Sequence, residues 1–398
     1  MSMKRFVYGA TCLLALLVTA CGNTDRKSSD LPQIDMDVEY PEKEICLQDI
    51  AEVSYIPLES KDDFLFQGKL EEFSSGGIAV IGDDKIYLFH PDGKARNVIN
   101  KKGQGPGEYQ NVYYAEFDWD KEEVYVHLIP QHQILVYSLD GTFKRQLKLD
   151  ENLALRQHDM TDEAEHLLMF KIPKGGKEGK LAYPYRPIVR ISKADGTMDS
   201  LSYQQNYYTS TCIKVLTGDG NPLLTLIDAP AFRSLNGSKY VNEVSLDTIY
   251  RIDGDALIPV MTRTPSVQEE KEKKCFLQMF GITPRYYFLR RTMQELAFNR
   301  TLRAFDYVAM DGKDGWLLYD KETGEAFSAK LTNKDYQEEL SYNYLEFDGC
   351  DANTAYMKLD AFELTEALEA GQLSGELKTI AQGLKEDDNP VLMVVKFK

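Results

Sequence analysis

Short runs of β-branched and aromatic residues, separated by turns that contain glycine, dominate this chain, and one unit recurs five times. Ile86-Tyr87-Leu88-Phe89 precedes Asp92-Gly93, Ile134-Leu135-Val136-Tyr137 precedes Asp140-Gly141, and Ile188-Val189-Arg190-Ile191 precedes Asp195-Gly196. Ile249-Tyr250-Arg251-Ile252 before Asp253-Gly254 and Trp316-Leu317-Leu318-Tyr319 before Thr323-Gly324 complete the set. Glycine supplies the positive φ that a tight hairpin requires, so each unit predicts two antiparallel strands. After the second turn, Phe143, Leu147 and Leu149 alternate with Lys144, Gln146 and Lys148, the pattern of a half-buried strand.

The spacing of these hairpins selects the architecture. Their turn glycines lie 48, 55, 58 and 70 residues apart. The last interval contains Ser266 to Phe280, in which the charged run Glu269 to Lys274 leads into Cys275, Phe276, Leu277, Met279 and Phe280. That order predicts a short helical insertion over 266–280, and without it the interval returns to about 55 residues, in step with the others. From Ile45 to the end, six units of about 59 residues fit the chain. The expected fold is therefore all-β, a six-bladed β-propeller over 33–398. A pair of ordinary β-sandwich domains would not explain an even period. Ser54-Tyr55-Ile56-Pro57-Leu58 and Val391 to Phe397 are strands without hairpins of their own. Pairing them would close the ring and remove free sheet edges.

The N-terminus reads differently. Lys4 and Arg5 precede an apolar run from Phe6 to Leu17, followed by Val18-Thr19-Ala20-Cys21. This is the form of a secretory signal peptide over 1–20. The apolar stretch to Ala20 falls short of the roughly 20 residues that span a bilayer, and polar residues follow it. Val18 to Cys21 resembles a bacterial lipobox, which implies cleavage before Cys21 and its acylation. Residues 21–32 then form a polar tether. The expected location is the bacterial cell envelope, at the outer membrane, facing the periplasm or the surface.

Composition narrows the partners. The net charge of −17 would become −19 on loss of Lys4 and Arg5, which argues against nucleic acid. Membrane contact is expected through the lipid on Cys21 instead. With 43% hydrophobic residues, 24 Tyr and 18 Phe, the chain has ample material for a core. Beyond Cys12 and Cys21, four cysteines remain: Cys46, Cys212, Cys275 and Cys350. Their spacing selects none of the three pairings, and separate buried thiols are the favoured reading.

Candidate chemistry is sparse. Gly103, Gly105 and Gly107 are followed by Glu108-Tyr109 rather than by Lys-Ser/Thr or a helix, so they read as a turn between blades and not as a phosphate cradle. His127 and His132 are the best pair for a metal or a general base, although scattered histidines are more usual. No G-x-S-x-G elbow occurs. Tyr183, Tyr185, Tyr207, Tyr208, Tyr286 and Tyr287 lie near Arg186, Arg285, Arg290 and Arg291, a mixture suited to sugars or peptides. Glu108, Tyr109, Arg285, Tyr286 and Tyr287 are the candidate ligand-binding residues.

Three segments carry a family resemblance: Tyr55-Ile56-Pro57-Leu58-Glu59, Gly103-Gln104-Gly105-Pro106-Gly107-Glu108-Tyr109, and Asp387-Asp388-Asn389-Pro390-Val391-Leu392. In this order they resemble the lipid-anchored six-bladed propellers of gut anaerobes, akin to NHL-like and TolB-like propellers. His127-Leu128 follows the Tyr-Val strand where NHL repeats often carry an acid, so NHL enzyme chemistry is not carried over. The resemblance supplies no catalytic residue. The expected function is binding of a carbohydrate, a peptide or an envelope protein, without an identified cofactor. The alternative is a propeller hydrolase or lyase acting on a carbohydrate or lactone-like substrate with a divalent metal in its channel.

Overall fold

All five expected hairpins form, and Gly93, Gly141, Gly196, Gly254 and Gly324 adopt positive φ between 56° and 84°. The computed structural model describes residues 31–128, 131–151, 155–173, 179–208, 212–216, 222–226, 230–269, 274–299, 304–309, 315–339 and 345–398. The proposed signal peptide, Cys21 and nearly all of the tether lie outside them.

Six four-stranded blades stand in a ring. Blade 1 comprises Gly68–Ser74, Gly77–Gly82, Lys85–Phe89 and Ala95–Ile99. Blade 2 comprises Ala115–Asp118, Glu123–Leu128, Gln133–Ser138 and Phe143–Lys148. Blade 3 is built from Leu155–Glu163, His166–Lys171, Ile188–Ser192 and Met198–Ser200. Blade 4 follows with Phe232–Leu235, Ser238–Val241, Thr248–Asp253 and Ala256–Thr264. Blade 5 contains Lys274–Ile282, Tyr286–Asn299, Gly315–Asp320 and Ala326–Asn333. In each blade the first strand is innermost.

Blade 6 is composite, as the hairpin-free ends predict. Leu345–Glu346, Thr354–Leu359 and Val391–Phe397 come from the C-terminus, while the outer strand Ala51–Pro57 comes from the N-terminus. Tyr55 pairs with Met393 in an antiparallel register that runs from Ala51↔Phe397 to Pro57↔Val391. The preceding chain adds a feature the sequence did not announce. Gln33–Asp35 and Glu42–Cys46 add parallel fifth strands to the outer edges of blades 4 and 5. Residues 33–57 thus belt three blades and cover edges that would otherwise stay open.

One expectation is corrected. Residues 274–280 of the helical insertion expected over 266–280 are strand instead: Lys274–Ile282 is the innermost strand of blade 5, and 270–273 lie outside the described residues. Cys275, Phe276, Leu277, Gln278, Met279 and Phe280 are all buried, because neighbouring blades cover both faces of this strand. A strand buried on both sides reads as a continuous apolar run, which periodicity alone does not separate from a buried helix. Helices occur elsewhere, at Ala361–Glu369 and Gly375–Ala381 between the second and third strands of blade 6, with a single turn at Leu47–Ile50.

The core lies between blades. Ile78, Val80, Tyr87 and Phe89 of blade 1 pack with Tyr356 and Leu392 of blade 6. Burying each aliphatic or aromatic side chain of this kind contributes about 1.5–3 kcal/mol. Cys46, Cys275 and Cys350 form no disulfide among the described residues, and Cys212 starts the strand Cys212–Leu216.

Candidate functional site

A cavity of about 530 Å³ occupies the channel where the turns between first and second strands gather. Its wall comes from the inner parts of blades 1, 2, 3, 4 and 6. On blade 1, consecutive Glu71 and Glu72 both reach it, although successive residues of a regular strand point to opposite faces. The register shifts between Leu70 and Glu72, so Glu71 is the extra residue of a β-bulge that turns both carboxyls inward. On blade 2, Tyr114, Glu116 and Asp118 take alternate positions along one strand. Asp162 comes from blade 3, Arg233 and Lys239 from blade 4, and Glu346 and Asp348 from blade 6. In total nine carboxylates line the wall against three cations, Lys69, Arg233 and Lys239.

Burial in the wall raises four of these acids, Glu71, Glu72, Glu116 and Asp162, above their ordinary values. Burial pushes the Glu72 carboxyl up to about 8, although the Trp119 indole N–H, 2.6 Å from Oε1, and the charge of Lys239 oppose the shift. Glu116 stands well above the ordinary glutamate value, first through burial and then through repulsion from Glu72 and Asp162. Both keep some accessible surface only because they face the cavity. The Tyr114 hydroxyl lies 2.9 Å from Glu116 Oε1. Near neutral pH the protonated Glu72 carboxyl can both donate and accept, beside acids paired with Lys193 and Arg233.

Other acids are held by ion pairs. Lys193, 2% exposed, places Nζ 2.5 Å from Asp118 Oδ2 and also pairs with Asp162, tying blade 2 to blade 3 beneath the wall. Burial works against its charge, but the two aspartates outweigh that and hold Lys193 above its ordinary value. Arg145 caps the Lys193 carbonyl through Nε at 2.9 Å and grips Glu123 at 2.6 and 2.7 Å.

Blade 5 is missing from the wall because blades 4 and 6 meet in front of it. Ser234 N–H donates to Asp348 Oδ1 at 2.6 Å, and Gly349 N–H donates to the Ser234 carbonyl at 3.2 Å. Below that contact, Arg233 lies 4.3 Å over the Phe280 ring of blade 5, with Nη1 3.5 Å from Glu346 and 3.4 Å from Asp348.

The residues singled out in the sequence take other places. Glu108 Oε2 accepts from Gly105 N–H at 2.7 Å and folds the glycine turn onto itself, while Tyr109 is buried with its hydroxyl 3.1 Å from the Ile99 carbonyl. Arg285 binds Asp320 at 2.7 and 3.0 Å and covers the ring of Tyr286, which is buried. Tyr287 packs near Tyr319. The fold brings neither group to the cavity. His127 is buried on the second strand of blade 2, and His132 sits in the following turn at φ 50°. Among the described residues no group of three His, Cys, Asp or Glu is placed to hold a metal ion. The cavity acids went unnoticed, yet they carry a signal. Glu72-Phe73, Glu116-Phe117 and Glu346-Phe347 repeat an acid–Phe pair just before a turn, with the phenylalanine in the core and the acid in the channel.

A solved structure shares this architecture. A Bacteroides fragilis protein assigned as exported superposes with a TM-score of 0.61 at 17% identity, covering 92% of this chain and 99% of its own. A member of the DUF4221 family from Bacteroides vulgatus gives 0.49 at 8% identity, over 88% and 97% of the two chains. At these identities the likeness concerns the fold. No curated protein matches the chain. A family model matches residues 31–396, nearly the whole chain, and the protein belongs to that family, described as a domain of unknown function, DUF4934.

Proposed function

We propose that this protein is an extracytoplasmic binding module, anchored by lipid on Cys21, that captures a small polar molecule in the channel cavity. The observation that carries the reading is the cavity wall, where nine acidic side chains and three cations from five blades face one space. Burial raises the Glu72 carboxyl to about 8 and lifts Glu116 above the ordinary glutamate value, next to acids that pair with Lys193 and Arg233. A volume of about 530 Å³ suits a ligand of mono- to disaccharide size. Alternating donors and acceptors on five blades match a ligand rich in hydroxyl groups, with an ammonium group favoured by the excess of carboxylates. The N-terminal signal and lipobox pattern supports the envelope location, and the acyl chains would hold the propeller at the membrane.

The test is retention. The full-length protein in detergent is dialysed against the low-mass fraction of an envelope extract, and the compounds it keeps are identified by mass spectrometry. A Glu116→Gln, Asp162→Asn variant should lose them while melting as a folded protein. Equal retention by the variant would remove the channel from the account. The metal-dependent enzyme reading keeps one direct check, metal analysis of the same preparation, in which stoichiometric zinc or calcium would favour it.

A further inference from the structure

Blade 5, withheld from the channel wall, carries an unusual row of buried polar groups. Gln278, Arg290 and Trp316 pair directly across its first three strands, so their side chains share one face, and Thr292 lies on that same face opposite Phe276. Gln278 is 1% exposed and Thr292 2%, yet both carboxamide atoms of Gln278 and the Thr292 hydroxyl lack hydrogen-bond partners. The indole N–H of Trp316, 4% exposed, also lacks one. Leaving such a group unmade costs about 1–3 kcal/mol each, so several on one face call for an occupant.

Their position says where the occupant would come from. Phe280 lies on the same side of the sheet, 6.0 Å from Trp316 by ring centroids and 5.9 Å from the Arg290 guanidinium. The other neighbour of Phe280 is Arg233, which forms part of the cavity wall. The Arg233 guanidinium and the Phe280 ring beneath it thus lie between the cavity and the polar row.

We propose that this face of blade 5 is a subsite for an uncharged amide group, such as an acetamido or peptide unit of the ligand, closed off by Arg233 and Phe280. The chemistry follows from the groups left open. Gln278 offers a donor and an acceptor side by side, which only a ligand with both can satisfy, and an amide pairs with a carboxamide through two reciprocal hydrogen bonds. Trp316 N–H adds a further open donor to the row. A carboxylate would leave Gln278 Oε1 without a donor, and an ammonium group would leave Trp316 unpaired. The subsite rests on the channel reading for its route of entry and names a chemical group that reading leaves open.

The two tryptophans of the chain separate the two ideas, since Trp119 stands in the cavity wall and Trp316 in the blade 5 row. Full-length protein labelled with fluorotryptophan gives one fluorine signal from each, assigned by Trp119→Phe and Trp316→Phe. Titration with acetamide should shift the Trp316 signal saturably, acetate should not, and Gln278→Leu should abolish the shift while the Trp119 signal stays native. Arg233→Ala, which opens the latch, should lower the acetamide concentration needed. The subsite is refuted if the Trp316 signal stays still in both wild type and Arg233→Ala, as it would if ordered water alone filled the row. It is refuted equally if acetate acts as acetamide does or if Gln278→Leu responds normally. A response at Trp119 alone would keep the channel reading and discard the subsite, whereas a response at Trp316 with none at Trp119 for any ligand would do the reverse.

Discussion

Glu72 shows how one side chain can report on the whole channel. Its folded carboxyl keeps a proton up to about 8, whereas the unfolded chain releases it near the ordinary glutamate value of about 4.3. Between those values the native state holds the extra proton, so stability should fall as pH rises, by at most about 1.4 kcal/mol per pH unit from this group. Glu72→Gln should flatten that decline. Thermal melts of both proteins at about pH 5 and about pH 9 check it, with the variant the more stable at the alkaline end. Lys193 makes the opposite case, a buried cation whose removal strands two acids. Lys193→Met should cost about 3 kcal/mol in denaturant unfolding, and adding Asp118→Asn and Asp162→Asn should recover most of that. Unchanged stability in Lys193→Met would show that the tie between blades 2 and 3 is idle.

At the level of strands, closure depends on a single antiparallel pairing of the chain ends. Deleting Val391–Lys398 removes four fully buried aliphatic side chains, Val391, Leu392, Met393 and Val395, together with Phe397 at 6% exposure, and uncovers two ladder edges. At about 1.5–3 kcal/mol per side chain the loss matches the stability of an entire domain, so soluble folded protein should disappear from expression trials. Normal melting of the truncated chain would place closure elsewhere. This composite blade was legible in the sequence because Ser54 to Leu58 and Val391 to Phe397 were strands with no hairpin partner nearby. The hairpins were legible for a similar local reason, the Asp-Gly turns. Lys274–Ile282 was not, since a strand enclosed on both faces loses the alternation that marks strands. The parallel additions Gln33–Asp35 and Glu42–Cys46 were hidden because their partners lie more than two hundred residues away. The candidate site was scarcely legible. Arg285 and Tyr286 looked like ligand groups but serve a turn and the core, while Glu72, Glu116 and Asp162 become a site only when the ring brings three inner strands together.

The whole molecule is a closed ring with a carboxyl-lined channel, which we propose is held at a membrane by lipid on Cys21. Cys21→Ser should abolish lipid labelling and release a folded, soluble propeller, because the blades begin well after the tether; fractionation after a salt wash checks this, and a variant still bound to membrane would require another anchor. The decorated side of the ring offers the main rival location for binding. Between the second and third strands of blades 3 and 5, and between blades 3 and 4, extra strands project opposite the cavity mouth, among them Gly179–Tyr185, Gln205–Tyr208 and Ala304–Ala309. The most direct measurement is a crystal structure of the protein purified from its own envelope with its ligand retained. The account predicts density for a polar molecule within hydrogen-bond distance of Glu116, Asp162 and Lys239. Density over the projecting strands, with only water in the channel, would contradict it.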